Sequence, residues 1–219
     1  MLLSPAEFDS RLESGKLVIT FIGMSAIGKS YRGQQFSFIG FRHINCDNVI
    51  ASRIPGLLQS EDVAGLGTWM GQPYTPLYKE REAQYLQLEE DSVSHALHSI
   101  KGNTIIDATG SVVYLSPDIQ KQLKDRSLVI HLEAGETARE KLFKQYMTEP
   151  KPVVWGDSFN RNKGESDLEA LSRCYPELLR YRLKKYISLA DVTLPYKVAR
   201  DEKSDAHEFL DAIKKGLAH

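Results

Sequence analysis

One short stretch near the N-terminus has the residue types and the spacing that phosphate binding requires. The pattern is glycine, four residues, then glycine, lysine and serine, and it is formed by Gly23, Met24, Ser25, Ala26, Ile27, Gly28, Lys29 and Ser30. Glycines let a backbone curl until its N–H groups face phosphate oxygens, and the start of a following helix adds positive potential. In such a P-loop the lysine reaches the β- and γ-phosphates and the serine hydroxyl binds Mg²⁺. The stretch therefore predicts ATP and Mg²⁺ as cofactors.

The flanking sequence decides between a P-loop and a chance glycine-rich turn. An apolar run over residues 17–22 leads straight into the loop, as a buried strand does, and the residues from Ser30 onward can open a helix. Because this strand and the Lys29-Ser30 ending are both present, we favour the P-loop. We expect the residues from Gly23 to Tyr31 to contact ATP.

Two aspartates follow apolar strands further along the chain. Asp47 follows a predicted strand at residues 41–45, and Asp107 ends an apolar strand that begins at Asn103. In open parallel sheets, ligands bind beyond the carboxyl ends of the strands. Asp47 can there accept a proton from an attacking hydroxyl or hold a substrate hydroxyl, and the alternative is an N-cap for the next turn. Asp107 has the position of a Walker-B aspartate, which holds Mg²⁺ or its water, and the alternative is an aspartate that forms a turn.

The elements that must position these residues alternate between strands and helices. Strands are predicted at residues 17–22, 41–45, 103–107, 127–132 and 191–194. Helices are predicted to begin at Ser4-Pro5 and end at Gly15, to follow the P-loop, and to cover about 75–101, 116–125, 135–147, 177–189 after a break at Pro176, and 203–215. Because most strands are followed by a helix, the pattern predicts an α/β fold with a parallel sheet of at least five strands and helices on both faces.

Composition limits the class of protein. The 219 residues fit one α/β domain, and 28 Lys and Arg against 29 Asp and Glu do not indicate a nucleic-acid or membrane-surface partner. Cys46 and Cys174 form neither a disulfide framework nor a metal-ligand cluster, which suits a reducing cytosol. No apolar run has the length of a membrane span, and no signal peptide is recognisable. We expect a cytoplasmic protein that acts on a small molecule; its oligomeric state stays open.

A polar stretch at about residues 148–166 has the composition of a mobile lid. Phosphoryl transfer needs such a lid because water in the site would take the phosphoryl group. The basic residues Lys151, Arg161 and Lys163 favour this interpretation, and the alternative is an ordinary surface excursion.

Several motifs in the chain, taken in order, resemble those of the shikimate kinase family. After the P-loop, that family has Asp-x-Asp, then Gly-Glu, Phe-Arg-x-x-Glu, a strand leading to Ala-Thr-Gly-Gly-Gly, a lid Arg-Pro, and Arg-x-Pro-x-Tyr-x-Glu-x-Ala-Asp. The matching segments here are Asn45-Cys46-Asp47, Gly71-Gln72, residues 78–82, 106–110, Lys151-Pro152 and 182–191. The likeness covers roughly residues 17–195. It implies that residues 1–219 form one P-loop kinase domain with the three-layer α/β/α fold of P-loop NTPases.

The resemblance implies a role for individual residues. Asp47 is expected to hold the acceptor hydroxyls, with acceptance of the proton left open. Lys79 and Arg182 stand where the family clamps the shikimate carboxylate, and Gly110 brings backbone N–H groups to the substrate. Lys29 and Lys151 are expected to neutralise the transferred phosphoryl group. The remaining expectations are an adenine-stacking role for Lys144 and a metal site at Ser30 and Asp107.

The departures from the family pattern concern mostly the acceptor. Lys79 lacks the planar fork with which arginine grips a carboxylate, and Gly110-Ser111-Val112 replaces the triple glycine. Asn45 replaces the first aspartate, so whether Asn45 or Asp107 orders the metal is open. The resemblance implies transfer of the ATP γ-phosphoryl group to a hydroxyl of a small polar metabolite, shikimate or a related compound. The alternatives are a kinase for a nucleoside or a gluconate-type sugar acid, and a nucleotide-binding regulator with little catalysis.

Overall fold

A parallel sheet forms the centre of the structure. In the computed structural model, which describes residues 3–54, 63–148 and 153–218, five strands pair in the order β2-β3-β1-β4-β5. The strands are β1 (Val18–Ile22), β2 (Arg42–Asn45), β3 (Thr104–Asp107), β4 (Leu128–Leu132) and β5 (Val192–Leu194). All four pairings are parallel. The predicted α/β fold with a five-stranded parallel sheet is confirmed, and the predicted strands agree with the observed ones to within a residue or two.

Helices surround this sheet in the ranges that the structure describes. They are α1 (Pro5–Glu13), α2 (Lys29–Ser37), α3 (Cys46–Ala51), α4 (Val63–Met70), α5 (Tyr78–His98), α6 (Pro117–Arg126), α7 (Glu136–Thr148), α8 (Asp167–Leu189), α9 (Tyr196–Ala199) and α10 (Ala206–Gly216). A short 3-10 turn covers Val112–Tyr114. None of the described helices has the length and apolar character needed to cross a membrane.

Burial explains the order of the strands. Every residue of β1, β3 and β4 is buried, as expected for apolar strands covered by helices on both faces, whereas β2 at the edge has one exposed, one buried and two half-buried residues. The chain leaves β1 toward one edge of the sheet and leaves β3 toward the other. Such a reversal opens a crevice at the carboxyl ends of the strands, where ligands bind in folds of this kind.

The ends of α1 follow the local chemistry that the sequence predicts. Ser4 and Glu7 form a reciprocal capping box in which each side chain accepts from the backbone of the other residue. Pro5 occupies the first turn, where its missing N–H costs nothing, and Gly15 follows the helix at a φ of +67°.

The predicted break at Pro176 is wrong. Helix α8 runs without interruption from Asp167 to Leu189, and Pro176 lies inside it. A capping box between Ser166 and Glu169 begins the helix, and its apolar stripe is buried on both sides of the proline. Because the apolar stripe is buried both before and after the proline, its packing offsets the hydrogen bond that the proline removes. Tertiary packing thus overrides the low helix propensity of proline.

The stretch predicted to be a lid is partly a fixed wall of the core. Residues 149–152, which include Lys151, lie outside the described residues. Immediately after them, Val153, Val154 and Trp155 are buried, and the Trp155 ring packs against Tyr146, Phe159 and Tyr175. These buried side chains anchor the start of the stretch, and motion of its remaining polar part stays a prediction.

The exposed proline in α8 provides a test of how packing and local propensity balance. Replacing Pro176 with Ala restores a backbone N–H that can donate to the Ser172 carbonyl, so we expect the free energy of unfolding to rise by about 1–3 kcal/mol. Urea denaturation measures the change, and the exposed Ser172→Ala in the same helix is the control. A loss of stability in Pro176→Ala would show that the helix depends on a bend at this position.

Candidate active site

The P-loop wraps around the amine of its own lysine. Gly23 and Gly28 have φ values of +141° and +107°, which glycine adopts without strain, and a Cβ at Gly23 would lie 2.6 Å from the Leu132 carbonyl oxygen. Lys29 begins α2, is buried, and its Nζ donates to the carbonyl oxygens of Gly23 and Met24 at 3.0 Å each. Burial lowers the pKa of Lys29, and the carboxylates of Asp107 and Asp47 oppose that shift.

A side-chain amide joins the P-loop to the neighbouring strands. Asn45 pairs in register with Asp107 across β2 and β3, and Asp107 pairs with Phe21 of β1. The Asn45 Nδ2 donates to Asp107 Oδ2 at 2.6 Å and to Ser30 Oγ at 3.2 Å. The residues proposed as metal ligands, Ser30 and Asp107, are therefore brought together, with Asn45 between them.

Asp107 has a second neighbour that sequence reasoning missed. The Nε2 of His43 lies 3.6 Å from Asp107 Oδ2 and makes no hydrogen bond within the described residues. Its ring packs on α2 at Gly33, where an added Cβ would lie 2.3 Å from the same nitrogen. The glycine thus lets β2 bring a histidine against the buried aspartate.

The P-loop opens into a cleft of about 470 Å³ that contains residues from five other parts of the chain. Its lining comprises Ser25, Ala26, Gly28, Lys29, Ser30, Tyr31, Asp47, Tyr85, Gly110, Ser111, Arg182 and Arg200. The predicted ATP-binding loop and the predicted acceptor residues Asp47, Gly110 and Arg182 therefore share one cavity. Asp47 enters it from the first turn of α3, where Tyr85 donates to its Oδ1 at 3.4 Å.

Arg182 supplies a fixed positive charge to this cleft. It lies on α8, is only 5 % exposed, and donates from Nη2 to the Val154 carbonyl oxygen at 2.6 Å. Its guanidinium lies 5.4 Å over the Tyr114 ring, and its Nε makes no hydrogen bond within the described part of the chain. An arginine that is held in place and lines the cleft is suited to grip an anionic group.

Lys79 is placed differently from Arg182. Its Nζ donates to Glu82 Oε2 at 3.0 Å and to the Gly156 carbonyl oxygen at 2.5 Å, and it is not among the residues that line the cleft. Glu82 also accepts from the backbone N–H groups of Trp155 and Gly156. Lys79 thus reinforces the wall formed by residues 153–156, and its direct role toward a substrate stays a prediction.

The turn after β3 rests on a buried carboxylate that sequence reasoning missed. Glu89 of α5 is completely buried and accepts from the hydroxyls of Thr109 and Ser111, the latter at 2.5 Å. Burial raises the pKa of Glu89 to about 7, and the nearby Asp47 adds to the increase. A signal was present: Glu82 and Glu89 are seven residues apart on the apolar stripe of α5, where a carboxylate is unexpected.

A smaller cavity of about 180 Å³ adjoins the other side of the P-loop. It is lined by Ser25, Ala26, Ile27, Lys141, Leu142, Tyr196 and Arg200. Lys144, the predicted adenine-stacking residue, is exposed on α7 and is not part of this lining, whereas Lys141 is. Arg200 lies at the end of α9, a four-residue helix that the sequence pattern did not predict.

A buried arginine fixes this side of the nucleotide loop. Arg32 of α2 donates to the carbonyl oxygens of Val198, Ala199, Asp201 and Ser204, at distances between 2.7 and 3.1 Å, and lies 4.2 Å over the Phe209 ring. Arg200 consequently packs against the P-loop: a Cβ at Gly28 would lie 3.3 Å from its Cδ. The helix that begins with Lys29 therefore also positions the segment around Arg200.

The fold is that of structurally characterised shikimate kinases. The enzyme from Bacteroides thetaiotaomicron superposes with a TM-score of 0.60 at 17% identity, covering 93% of this chain and 99% of that chain. For the Acinetobacter baumannii shikimate kinase in complex with shikimate, the TM-score is 0.58 at 16% identity, covering 93% of each chain. The Aquifex aeolicus enzyme gives 0.54 at 16% identity, covering 92% and 96%.

Comparisons of sequence alone find no such relationship: no protein-family model and no curated protein matches the chain. The resemblance to shikimate kinases that the motifs predict is therefore confirmed by the structure, as a likeness of fold. The chain therefore combines a P-loop with the α/β fold that these shikimate kinases share.

The buried Glu89 makes stability depend on pH in a defined direction. Between its ordinary pKa of 4.5 and the raised value of about 7, the folded chain holds a proton that the unfolded chain has released. The free energy of unfolding should therefore fall as pH rises through this window, by an amount on the order of 3 kcal/mol from this residue. Glu89→Gln should remove that part of the slope.

Urea denaturation from pH 4.5 to pH 8 measures this effect. The exposed Glu80→Gln on the same helix is the control and should retain the wild-type slope. Parallel curves for wild type and Glu89→Gln would contradict the assignment of the raised pKa to Glu89.

Proposed function

We propose that the protein transfers the γ-phosphoryl group of ATP to a hydroxyl of a small, polar, anionic metabolite. One observation carries this proposal: the P-loop amine of Lys29, the Asp47 carboxylate and the buried Arg182 guanidinium line a single cleft. Lys29 can bind the phosphates, Asp47 a hydroxyl of the acceptor, and Arg182 an anionic group of the acceptor. The fold shared with shikimate kinases supports the assignment to small-molecule kinases.

The residues present fit ATP and Mg²⁺. The positive φ values of Gly23, Ala26 and Gly28 curl the loop as a phosphate cradle requires. Ser30 Oγ and the Asp107 carboxylate, joined by the Asn45 amide, form an oxygen-rich set suited to Mg²⁺, which takes one or two protein carboxylates together with phosphate oxygens and waters. Within the described residues no cluster of three or more metal-ligating side chains offers a different site. When bound, Mg²⁺ would neutralise charge on the phosphates.

The chain's own residues then position the acceptor and neutralise the charge of the phosphates. Lys29 leaves its two loop carbonyls to contact phosphate oxygens, because these carry the negative charge that its present hydrogen-bond partners lack. Asp47 orients the attacking hydroxyl and offers an oxygen to its proton. Arg182 holds the anionic group of the acceptor, so the acceptor is fixed at two points before transfer.

The chemistry of the cleft defines a class of acceptor compounds and does not single out one compound. Shikimate is the first compound to examine, because one of the structural neighbours is a complex with shikimate. A gluconate-type sugar acid carries the same combination of a carboxylate and several hydroxyls. Both would use Arg182 for the carboxylate and Asp47 for the hydroxyl.

Removal of the Asp47 charge separates a kinase from a nucleotide-binding regulator. We expect Asp47→Asn to lower kcat by about 10²-fold or more, in the range of general acid–base catalysis, while the Kd for ATP stays within about twofold. Release of ADP in the presence of Mg²⁺ and shikimate, or each of a panel of hydroxylated acids, measures kcat. Calorimetric titration with a non-hydrolysable ATP analogue measures the Kd.

Lys29→Met is the matched variant for the nucleotide half of the cleft. It should weaken binding of the ATP analogue, which Asp47→Asn should not. Acceptor-independent ADP release that is equal in wild type and Asp47→Asn would sink the kinase proposal and leave a nucleotide-binding protein.

A further inference from the structure

The turn that follows β3 brings a serine to the lining of the cleft, where the family pattern has a glycine. Thr109-Gly110-Ser111 forms this turn, and Gly110 lies close to the P-loop: a Cβ there would come 3.3 Å from Ser25 Oγ. Tyr186 donates to the Gly110 carbonyl oxygen from below. Ser111 lines the cleft beside Tyr85 and therefore lies within reach of a bound acceptor.

Above the raised pKa of about 7, where Glu89 is ionised, its carboxylate fixes the direction of the Ser111 hydroxyl. Ser111 Oγ donates its only proton to Glu89 Oε2 at 2.5 Å, and Thr109 Oγ1 donates to the other carboxylate oxygen. The Ser111 backbone N–H donates to Thr109 Oγ1 at 3.1 Å, which locks the three side chains into one buried cluster. With its proton committed inward, the Ser111 hydroxyl can act toward a ligand only as an acceptor.

Tyr85, which lines the cleft next to Ser111, is also restricted to accepting hydrogen bonds. Tyr85 donates its proton to Asp47, so Tyr85, like Ser111, presents an oxygen without a proton. The cleft is also lined by Lys29 and Arg182, which are donors only. Oxygens that cannot donate repel phosphate, so the wall of Asp47, Tyr85 and Ser111 suits the donors of a neutral, hydroxylated part of a ligand.

We infer that Ser111, held by Glu89, is a specificity-determining residue that accepts a hydrogen bond from a second hydroxyl of the acceptor, beside the hydroxyl that receives the phosphoryl group. Glu89 acts through Ser111 and is a positioning residue. The inference rests on the proposed function and narrows its substrate class to acids with at least two neighbouring hydroxyls. An acceptor with a single hydroxyl would leave this oxygen wall without a partner.

The experiment compares steady-state ADP release in wild type and Ser111→Ala above pH 8, where Glu89 is ionised, with shikimate and gluconate as acceptors and with deoxy analogues that each lack one hydroxyl. Ser111→Ala should raise the acceptor KM about five- to tenfold, the loss expected for one neutral hydrogen bond, with kcat and the ATP KM within about twofold. With the analogue that lacks the contacting hydroxyl, wild type and Ser111→Ala should have the same KM.

A matched control removes a buried serine hydroxyl elsewhere. Ser127 donates to the Leu123 carbonyl oxygen at 2.8 Å and contacts Thr20 at 2.7 Å, and it precedes β4 at the end of the sheet away from the cleft. Ser127→Ala should leave the acceptor KM unchanged. If it raises that KM as much as Ser111→Ala does, the effect is one of stability and the inference is overturned.

Glu89→Gln provides a second, independent variant. Its amide nitrogen can donate to Ser111, which then turns its own proton toward the cleft, so the acceptor KM should rise with no change in the ATP KM. Unaltered acceptor KM values in both Ser111→Ala and Glu89→Gln overturn this inference alone, because turnover by the wild type keeps the proposed function. Absence of turnover by the wild type with every acceptor overturns both.

Discussion

The parallel register of three strands is the constraint on which the site depends. Because β1, β3 and β2 run in the same direction and are aligned at Phe21, Asp107 and Asn45, their carboxyl ends meet at one edge. The P-loop begins where β1 ends, so Ser30 reaches the Asn45 amide, and that amide reaches Asp107. A slip of one residue in β3 would turn the Asp107 side chain to the other face of the sheet and separate the set.

Helix α5 is the second organising element, because it buries two carboxylates at different heights along one stripe. Glu82 accepts from the backbone N–H groups of residues 155 and 156, and Glu89 accepts from the hydroxyls of Thr109 and Ser111. Burying a carboxylate is costly unless donors surround it, so each one fixes the segment that supplies its donors. The first segment in turn holds Arg182 through the Val154 carbonyl, and the second forms the floor of the cleft.

The helix after the P-loop serves both sides of the cleft in a similar way. Lys29 faces the loop, and Arg32, one turn later, ties α2 to the segment of residues 198–204 through four carbonyl oxygens. An arginine can do this because its guanidinium carries five donors in a fixed plane. Positive potential is thereby concentrated around the nucleotide loop in a chain whose net charge is only −1.

The sequence by itself determined the P-loop, the strands, most helix ends and the pairing of Asp47 with the nucleotide loop, because these follow from local periodicity, capping residues and a fixed motif. The continuity of α8 through Pro176, the strand order, and the placement of Lys79, Lys141 and Arg200 were decided only by the tertiary structure. The continuity of α8 depends on the burial of its apolar stripe on either side of the proline, the placement of Lys79 on the Gly156 carbonyl, and that of Arg200 on the Arg32 anchor. Glu89 belongs to the same group, since a carboxylate on an apolar stripe acquires its role only when the turn after β3 brings it two hydroxyl donors.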